Sequence, residues 1–268
     1  MITRRGFGFV LACLLLAGAL PAQEPAMTPE ETANFLLKAE VIDSRHTSKG
    51  VTSPYRLTMR LGNVTHDAHF QPIDETRPAR EFTDGSVELN FRDSYKYNIA
   101  AYELSKLLGL DHMMPVTVFR KWSGMSGSLA WWLPAKMDEA DRIRKNLEPP
   151  DKESWGRQMH RKRVFAELVY DTDPNRTNVL IGEDWKIYVI DFTRAFRLRS
   201  DLREPHDLER CDRNLLEKLR QLDAKGLAAS TKGYLTSAEV KAVMQRRDKI
   251  VAHFEQLIKD KGESGVLY

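Results

Sequence analysis

Two short runs of aliphatic and aromatic residues, 179–181 and 187–190, are separated by only five residues in the second half of the chain. Val-Leu-Ile and Ile-Tyr-Val-Ile are rich in residues that favour strands, and both are too short for helices. The residues between them include Gly, Glu and Asp, which are common in turns. The pattern predicts a β-hairpin with Glu183 and Asp184 in a tight turn.

Polar residues at the two ends of this hairpin supply oxygen ligands. In the predicted register Asn178 lies opposite Val189, so Asp191 becomes the diagonal neighbour of Asn178 on the same face. Asp173, on a short loop that contains Pro174, is a third polar group near that point, suited to orienting an attacking hydroxyl. A hard cation such as Mg²⁺ prefers this oxygen set together with substrate phosphates.

The spacing of these three residues is also that of phosphoryl-transfer enzymes. Four residues separate Asp173 from Asn178, and twelve separate Asn178 from Asp191. In protein kinases a catalytic-loop Asp precedes an Asn at the first of these spacings, and a metal-holding Asp follows later. The alternative interpretation is structural, with Asp171, Asp173 and Asn175 as turn formers around Pro174 and Asp191 as a strand-end cap. The position of Asp191 on the hairpin favours the functional interpretation.

Four stretches of the chain resemble a bacterial branch of the atypical kinase-like superfamily, which also holds the phosphoinositide kinases, the HipA-type toxin kinases and the secretory-pathway Golgi kinases. Its most specific feature is Ala-Ala-Tyr in a helix, followed by Leu-Leu-Gly-Leu and a Pro-Val-Thr strand, in combination with the Asp/Asn/Asp set. The resemblance implies an α+β, two-lobed protein-kinase-like fold that binds ATP or another nucleotide with Mg²⁺ between the lobes. The four stretches are 94–110, 115–120, 165–191 and 191–196.

The resemblance also implies roles for single residues. Asn178 and Asp191 would hold the metal, and Asp173 would position or deprotonate an acceptor hydroxyl. The superfamily's strand lysine, which holds the nucleotide phosphates, and its helix glutamate correspond to Gln71 and Asn98 here. Removing one charge of a buried pair leaves the other unpaired, whereas replacing both by amides is tolerable. This joint replacement fits either a degenerate kinase or one that holds its nucleotide differently.

A nucleotide site without the strand lysine needs another cation for the phosphates. Arg194, shortly after Asp191, is a candidate, although it could instead pair with an acid such as Glu167. Arginine suits either role because its planar guanidinium binds phosphates and carboxylates equally well. Three further candidates are Lys96, Arg92 and Arg77.

The remaining sequence predicts a strand-rich N-lobe over residues 23–136 and a mainly helical C-lobe over 137–268. A capping box at Thr28 and Glu31 begins the first helix, and Gly109 ends a long one. Arg246 and Arg247 are expected on a solvated helix face. The other predicted elements are a hairpin at 55–61 and 64–70, a mobile loop at 74–85, a helix at 94–108, a strand pair at 115–122 and 128–133, a connector at 137–152, and helices at 152–170, 207–222 and 236–258.

Residues 1–22 have the pattern of a secretory signal peptide. Arg4 and Arg5 precede an apolar run that ends at Leu20, and small residues follow. The run is too short for a membrane span, so no stable span is expected. Arg4-Arg5-Gly-Phe7 also resembles the twin-arginine signal, whose machinery exports folded proteins. A lipid anchor on Cys13 is the alternative to cleavage. The expected location is periplasmic or secreted.

Charge and cysteine content exclude other classes of function. The formal net charge of +3 falls to +1 once residues 1–22, which contain two arginines, are removed. A nearly neutral chain without a basic stripe gives no reason to expect a nucleic-acid partner. Cys211 would be the only cysteine left, so the mature protein has no intramolecular disulfide and depends on its hydrophobic core.

Two functions agree with these features. The first is an exported kinase that transfers a phosphoryl group from a nucleotide to a hydroxyl of a protein, sugar or lipid. The second is a catalytically inactive pseudokinase that acts as a binding or scaffolding protein. Because ATP is scarce outside the bacterial cytoplasm, an exported kinase needs a pre-bound nucleotide or another donor.

Overall fold

The first helix begins at the predicted capping box. Helix α1 is Pro29–Lys38. The Thr28 N–H donates to the Glu31 side chain at 2.8 Å, and the Glu31 N–H donates to the Thr28 hydroxyl at 3.2 Å. These bonds satisfy two of the N–H groups that a helix start leaves without partners. The computed structural model describes residues 27–47, 54–82 and 85–268, so the predictions for the signal peptide, the twin-arginine motif and Cys13 lie outside the described residues.

A five-stranded antiparallel sheet forms most of the N-terminal part. Its order is β1-β2-β3-β7-β6. Leu61 pairs with Val64 across Gly62, which has a φ of +57°, so the predicted hairpin is confirmed with its turn. The predicted second strand pair is also present, as β6 and β7, but β7 begins at Met125 instead of residue 128, because the turn is shorter than expected and Gly127 lies in the strand. The strands are β1 Glu40–His46, β2 Tyr55–Leu61, β3 Val64–Gln71, β6 Thr117–Trp122 and β7 Met125–Trp131.

A second hairpin replaces the predicted mobile loop at 74–85. Strands β4, Asp74–Glu81, and β5, Val87–Ser94, pair over most of their length. The sequence predicts a loop here because charged residues and Pro78 obscure the period-2 pattern of a strand. A two-stranded ribbon with mostly solvated side chains does not need that pattern. Helix α2, Tyr95–Leu108, follows directly and ends at Gly109, which has a φ of +68°, as the sequence predicted.

The C-terminal part is mainly helical. The helices are α3 Glu139–Arg144, α4 Lys152–Val169, α5 Arg213–Gln221, α6 Ala224–Ser230, α7 Ser237–Lys261 and α8 Glu263–Val266. A small sheet, β10-β9-β8, lies beside α3 and consists of β8 Met137–Asp138, β9 Val179–Ile181 and β10 Ile187–Val189. The predicted helix 207–222 begins later, at Arg213, because Asp212 caps its N-terminus. The helix predicted over 236–258 extends to Lys261.

Two hydrophobic clusters hold these parts together. The smaller packs α1 against the five-stranded sheet and includes Phe35, Leu57 and Phe70. The larger joins α2 to the helical part and includes buried residues of α4, α5 and α7, together with the free thiol of Cys211. Helix α2 therefore belongs to the core of the C-terminal part as well as to the sheet-rich part. No helix within the described ranges is long and apolar enough to cross a bilayer.

The prediction that Arg246 lies on a solvated helix face is wrong. Its side chain is fully buried, and its guanidinium donates to the carbonyl oxygens of Leu168 at 2.8 Å, Arg197 at 2.9 Å and Arg199. Those carbonyls belong to the end of α4 and to the segment after Phe196, where the helix and sheet ladders leave acceptors unpaired. A buried arginine satisfies several of them at once because its donors form a fixed fork.

Candidate functional site

The hairpin that carries the candidate site is shifted by one residue from the predicted register. Val179 pairs with Val189, so Asn178 is not opposite Val189 as expected. The connection is longer than a two-residue turn, because the Gly182 N–H donates to the Lys186 carbonyl at 2.9 Å and Trp185 has a φ of 62°. A left-handed residue at the end of a turn is the usual way to add a third residue to a hairpin loop.

This register places Asn178 beside the residue that precedes Asp191. The Ile190 N–H donates to the carbonyl oxygen of Asn178 at 3.0 Å. Asp191 then leaves the strand with a φ of 61°, so its side-chain direction no longer follows the alternation of the hairpin. The predicted diagonal neighbour relationship is wrong in register. The two residues nevertheless come from adjacent points of the same ribbon.

The Asp191 carboxylate is exposed but has protein on most sides. The Thr193 hydroxyl donates to its Oδ1 at 3.0 Å. Desolvation by the surrounding residues raises the pKa of Asp191, the Thr193 bonds lower it, and the charge of nearby Asp173 raises it further. Exposure and desolvation are compatible, because water that reaches the group from one side does not replace the solvent lost on the others.

The Asp173 loop is held by a second, buried aspartate. The Asp173 N–H donates to the side chain of Asp171 at 3.0 Å, and Asp171 is only 8% exposed. The side chain of Asp173 itself is 45% exposed, and its Oδ2 lies 3.8 Å from Nη1 of Arg194. Burial raises the pKa of Asp171 to about 6, with the Asp173 backbone bond and Lys162 acting in the opposite direction. Asp171 thus positions the loop and Asp173 faces solvent.

Arg194 pairs with Glu88 and not with Glu167. Its Nη2 lies 2.6 Å from one oxygen of Glu88, and Arg197 lies 2.6 Å from the other. Glu167 instead accepts hydrogen bonds from two backbone N–H groups, those of Arg203 and Glu204. The sequence did not identify Glu88 because it lies on strand β5, within a region where no strand was expected.

Gln71 and Asn98 meet at Ser128. Gln71 is the cross-strand partner of Ser128, so their side chains share one face of the sheet. The Asn98 amide donates to the Ser128 hydroxyl at 3.3 Å, and its oxygen accepts from the Phe192 N–H at 2.7 Å. Gln71 is 2% exposed. The two amides therefore occupy neighbouring places between the sheet and the segment after Asp191.

The three other cations considered from the sequence each pair with an acid. Lys96 lies 2.8 Å from Asp74, and Arg92 lies 2.8 Å from Glu239. Arg77 pairs with Glu75 on the same strand. Arg194 also pairs with an acid, Glu88, but of these four cations it is the one that the described residues place in an ion pair with Asp173, at 3.8 Å.

Asp93 and Thr193 belong to the site but were not predicted. Asp93 is 4% exposed, and the Ser94 N–H next to it donates to the Thr193 carbonyl at 2.9 Å. Burial raises the pKa of Asp93, and the neighbouring Asp191 contributes in the same direction. The only sequence signal was proximity of Thr193 to Asp191, because the strand carrying Asp93 was not recognised.

The described residues hold no group of three His, Cys, Asp or Glu side chains placed to bind a metal ion. A cation at Asp191 would therefore depend on amide and hydroxyl oxygens, and on a ligand, in addition to carboxylates. That is the usual situation for Mg²⁺, which keeps few protein ligands and binds substrate phosphates.

Several solved structures, two kinases among them, are similar to this chain along most of its length. Hydra Fam20, solved with sugar, has a TM-score of 0.66 and 15% identity, over 90% of this chain and 92% of that chain. The Golgi casein kinase has a TM-score of 0.63 and 13% identity, over 89% and 78%. Helicobacter pylori proinflammatory kinase CtkA has a TM-score of 0.52 and 10% identity, over 84% and 98%. The chain has an atypical kinase-like fold.

This kinase-like fold is supported by structure alone. No protein-family model matches the sequence, and no curated protein matches it. The Golgi casein kinase has also been solved with Mn/ADP bound, and that structure has a TM-score of 0.61 and 13% identity, over 89% of this chain and 78% of that chain. The sequence-based expectation of a two-lobed kinase-like architecture is confirmed.

In this kinase-like chain the candidate residues lie where the sheet-rich and helical parts meet. Residues 192–194 contact β5 and α2 through the bonds at Ser94, Asn98 and Glu88. Asp173 and Asp191 supply negative charge and proton acceptors, and Arg194 supplies positive charge. Such an arrangement can bind a cation and an anionic ligand together and can accept a proton from a hydroxyl.

Proposed function

We propose that this protein binds a nucleotide with a divalent cation between its two parts and transfers a phosphoryl group to a hydroxyl of a protein, sugar or lipid. The observation that carries the proposal is the placement of Asp173 and Asp191. Their carboxylates are near enough to interact and are both exposed to solvent. Within the described residues, Asp191 forms no ion pair, so its charge is available to a bound cation.

The donor set fits Mg²⁺ or Mn²⁺. Asp191 and Asn178 would hold the cation with carboxylate and amide oxygens, which hard divalent ions prefer. A bound cation would neutralise the charge of the nucleotide phosphates. The position of Asn178 beside Ile190 supports this assignment, because it keeps the amide on the same ribbon as Asp191.

Asp173 would orient the acceptor hydroxyl and take its proton. Its loop is fixed by the backbone bond to Asp171, so the exposed carboxylate is held in place without being covered. General-base assistance of this kind contributes roughly 10²- to 10⁴-fold to rates. Arg194, 3.8 Å from Asp173, would stabilise the charge of the transferred group.

With an amide at Gln71, the protein offers the nucleotide phosphates less positive charge than it would with a lysine there. The cation and Arg194 would then carry most of the phosphate binding. We expect nucleotide affinity to depend strongly on the cation, because no strand lysine can substitute for it.

Export is a separate part of the proposal. It is supported by the signal-like pattern of residues 1–22 and is tested by cell fractionation of the full chain. Export through the twin-arginine route requires that Arg4→Lys combined with Arg5→Lys retains the protein in the cytoplasm. Unchanged export of that variant would indicate an ordinary signal peptide, and a cytoplasmic wild type would refute export.

Calorimetry with Mg²⁺-ATP and Mn²⁺-ADP tests the binding step. The wild type should bind both, and Asp191→Asn should lose cation-dependent binding. Asp184→Asn is the matched control, because Asp184 is an exposed acid on the same hairpin that pairs with Lys186. Absence of binding by the wild type, or equal binding by Asp191→Asn, contradicts the proposal.

Transfer is tested with γ-labelled ATP and a panel of protein, sugar and lipid acceptors. Asp173→Asn should bind nucleotide as the wild type does while its turnover falls by at least about 100-fold. Binding without any turnover or labelling by the wild type would identify the protein as a binding protein of the pseudokinase kind.

A further inference from the structure

Asp93 is a buried carboxylate with an incomplete set of partners. It is 4% exposed, and its Oδ1 has no hydrogen-bond partner among the described residues. An ionised carboxylate buried in this state is costly, because it has lost its water and gained too few donors in exchange. A group of this kind calls for an explanation in terms of a proton, a water molecule or an ion.

The hydroxyl of Thr193 connects Asp93 to Asp191. It donates to Asp191 Oδ1 at 3.0 Å and also lies close enough to Asp93 to lower the pKa of that carboxyl. A hydroxyl has one proton, so it can satisfy only one of the two carboxylates at a time. The Ser94 N–H also donates to the Thr193 carbonyl at 2.9 Å, which fixes the end of β5 beside this segment. Asp93 and Asp191 therefore face a common point beside Thr193.

Helix α2 cannot supply a second carboxylate at this point. Asn98 occupies the position that the resemblance gives to the helix glutamate. Its amide oxygen is already bonded to the Phe192 N–H and its amide nitrogen to the Ser128 hydroxyl. The second acidic group near Asp191 comes instead from the end of strand β5, five residues earlier in the chain.

Positive side chains near Asp93 are held by other groups. Arg194 pairs with Glu88 at 2.6 Å, and Arg80 stacks over the Phe91 ring with its guanidinium carbon 4.5 Å from the ring centre. Both contribute a favourable field at Asp93, but neither makes an ion pair with it among the described residues. The unpartnered oxygen is thus left for a ligand.

We propose that Asp93 is a ligand of the divalent cation that Asp191 holds, so that residues of both the sheet-rich part and the helical part coordinate the ion. This inference rests on the proposed function, since it needs a cation at Asp191. It assigns the negative charge that position 98 of helix α2 lacks to strand β5. It also means that cation binding would tie β5 to the segment after Asp191.

The test uses the full chain and Mn²⁺ alone, with free Mn²⁺ measured by electron paramagnetic resonance and unfolding followed by circular dichroism. Asp93→Asn should weaken Mn²⁺ binding at least tenfold. Without cation the same variant should melt at a higher temperature than the wild type, because it no longer buries an unpaired charge. The control is Asp74→Asn, whose side chain is already bonded to Lys96 and Ser94, and its Mn²⁺ affinity should be unchanged.

Several outcomes distinguish the role of Asp93 from the cation site of the proposed function. Undiminished Mn²⁺ binding by Asp93→Asn, together with loss of binding by Asp191→Asn, would overturn the role of Asp93 and leave the cation site of the proposed function standing. Failure of the wild type to bind Mn²⁺ would overturn both. Asp93→Ser is a second variant in case Asp93→Asn does not fold, and it must weaken binding to the same extent.

Discussion

The side-chain oxygen of Asn98 accepts a hydrogen bond of 2.7 Å from the backbone N–H of Phe192, the residue directly after Asp191. Asp191 has a φ of 61°, which costs a non-glycine residue of order 1 kcal/mol or more unless its surroundings hold it there. The bond from helix α2 is one of the interactions that do so. It fixes the direction in which the Asp191 carboxylate leaves the chain.

Asn98→Ala should therefore reduce the free energy of unfolding by about 1–3 kcal/mol, the range expected when a buried N–H loses its acceptor. Urea denaturation measures this. The control is Gln256→Ala, which removes an exposed amide from helix α7 and should change stability by less than about 0.5 kcal/mol. Equal effects of the two substitutions would mean that the Asn98 bond does not contribute.

Arg246 is expected to be essential for stability. Arg246→Met keeps an unbranched apolar stem but leaves the carbonyls of Leu168, Arg197 and Arg199 without donors. At 1–3 kcal/mol for each buried unsatisfied group, partly offset by the removal of a buried charge, we expect a loss of about 3 kcal/mol or more.

Denaturant unfolding of Arg246→Met should be compared with Lys249→Ala on the same helix. Lys249 is 46% exposed and pairs with an exposed aspartate, Asp201, so its removal should cost less than about 1 kcal/mol. A loss below 1 kcal/mol for Arg246→Met would show that water replaces the guanidinium at the three carbonyls.

The sequence predicted elements whose signals are local. Helix α2 ends where Gly109 provides a left-handed residue, and α1 begins where Thr28 and Glu31 form a capping box. The β2–β3 hairpin turns at Gly62 in the expected register. In each case residues close in sequence both create the signal and satisfy the backbone, so no knowledge of the tertiary fold is needed.

Predictions from the sequence were wrong where contacts between residues distant in the chain determine the structure. Arg246 resembles a solvated residue because its three acceptors lie about 50 to 80 positions earlier in the chain. Glu88 resembles part of a polar loop because its partners are distant in sequence. Arg194 and Arg197 come only after helices α2 and α4. The hairpin at Asp191 was recognised, but its register depended on the left-handed conformation of Trp185, which composition does not predict.

Two glycines are expected to respond with opposite signs to the same substitution. A Cβ at Gly127 would lie 2.7 Å from the carbonyl oxygen of Gln71 and 2.7 Å from the Phe70 ring, so strand β7 could not stay as close to β3. Gly156 lies inside helix α4 and has no atom within 4 Å of an added Cβ. Gly127→Ala should destabilise the protein by roughly 1–3 kcal/mol, whereas Gly156→Ala should stabilise it by about 0.5–1 kcal/mol.

Melting temperatures of the two glycine variants, measured side by side, check this prediction. Each variant serves as the control for the other, since both add one methyl group. A stable Gly127→Ala protein would show that β3 and β7 can separate without loss, which would also move Gln71 relative to Asn98.

The buried carboxyl of Asp171 should make stability fall as the pH rises from about 4 to 6. Its pKa is raised to about 6 in the folded protein from 3.8 in the unfolded chain, mainly by burial. Below pH 4 it is protonated in both states and has no effect. Between pH 4 and 6 the unfolded chain loses its proton first, so unfolding becomes easier. Above pH 6 the penalty is constant, at roughly 2–3 kcal/mol from 1.36 kcal/mol per pH unit.

Asp171→Asn removes this penalty and keeps an oxygen that can accept the Asp173 N–H bond. The variant should be more stable than the wild type above pH 6 and equally stable below pH 4, as measured by denaturant unfolding at a series of pH values. Asp184→Asn is the opposite control. The pKa of Asp184 is lowered by its bonds with Lys186, so that substitution should slightly weaken the protein above pH 4. A stability difference for Asp171→Asn that does not change with pH would show that the pKa of Asp171 is the same in the folded and the unfolded protein.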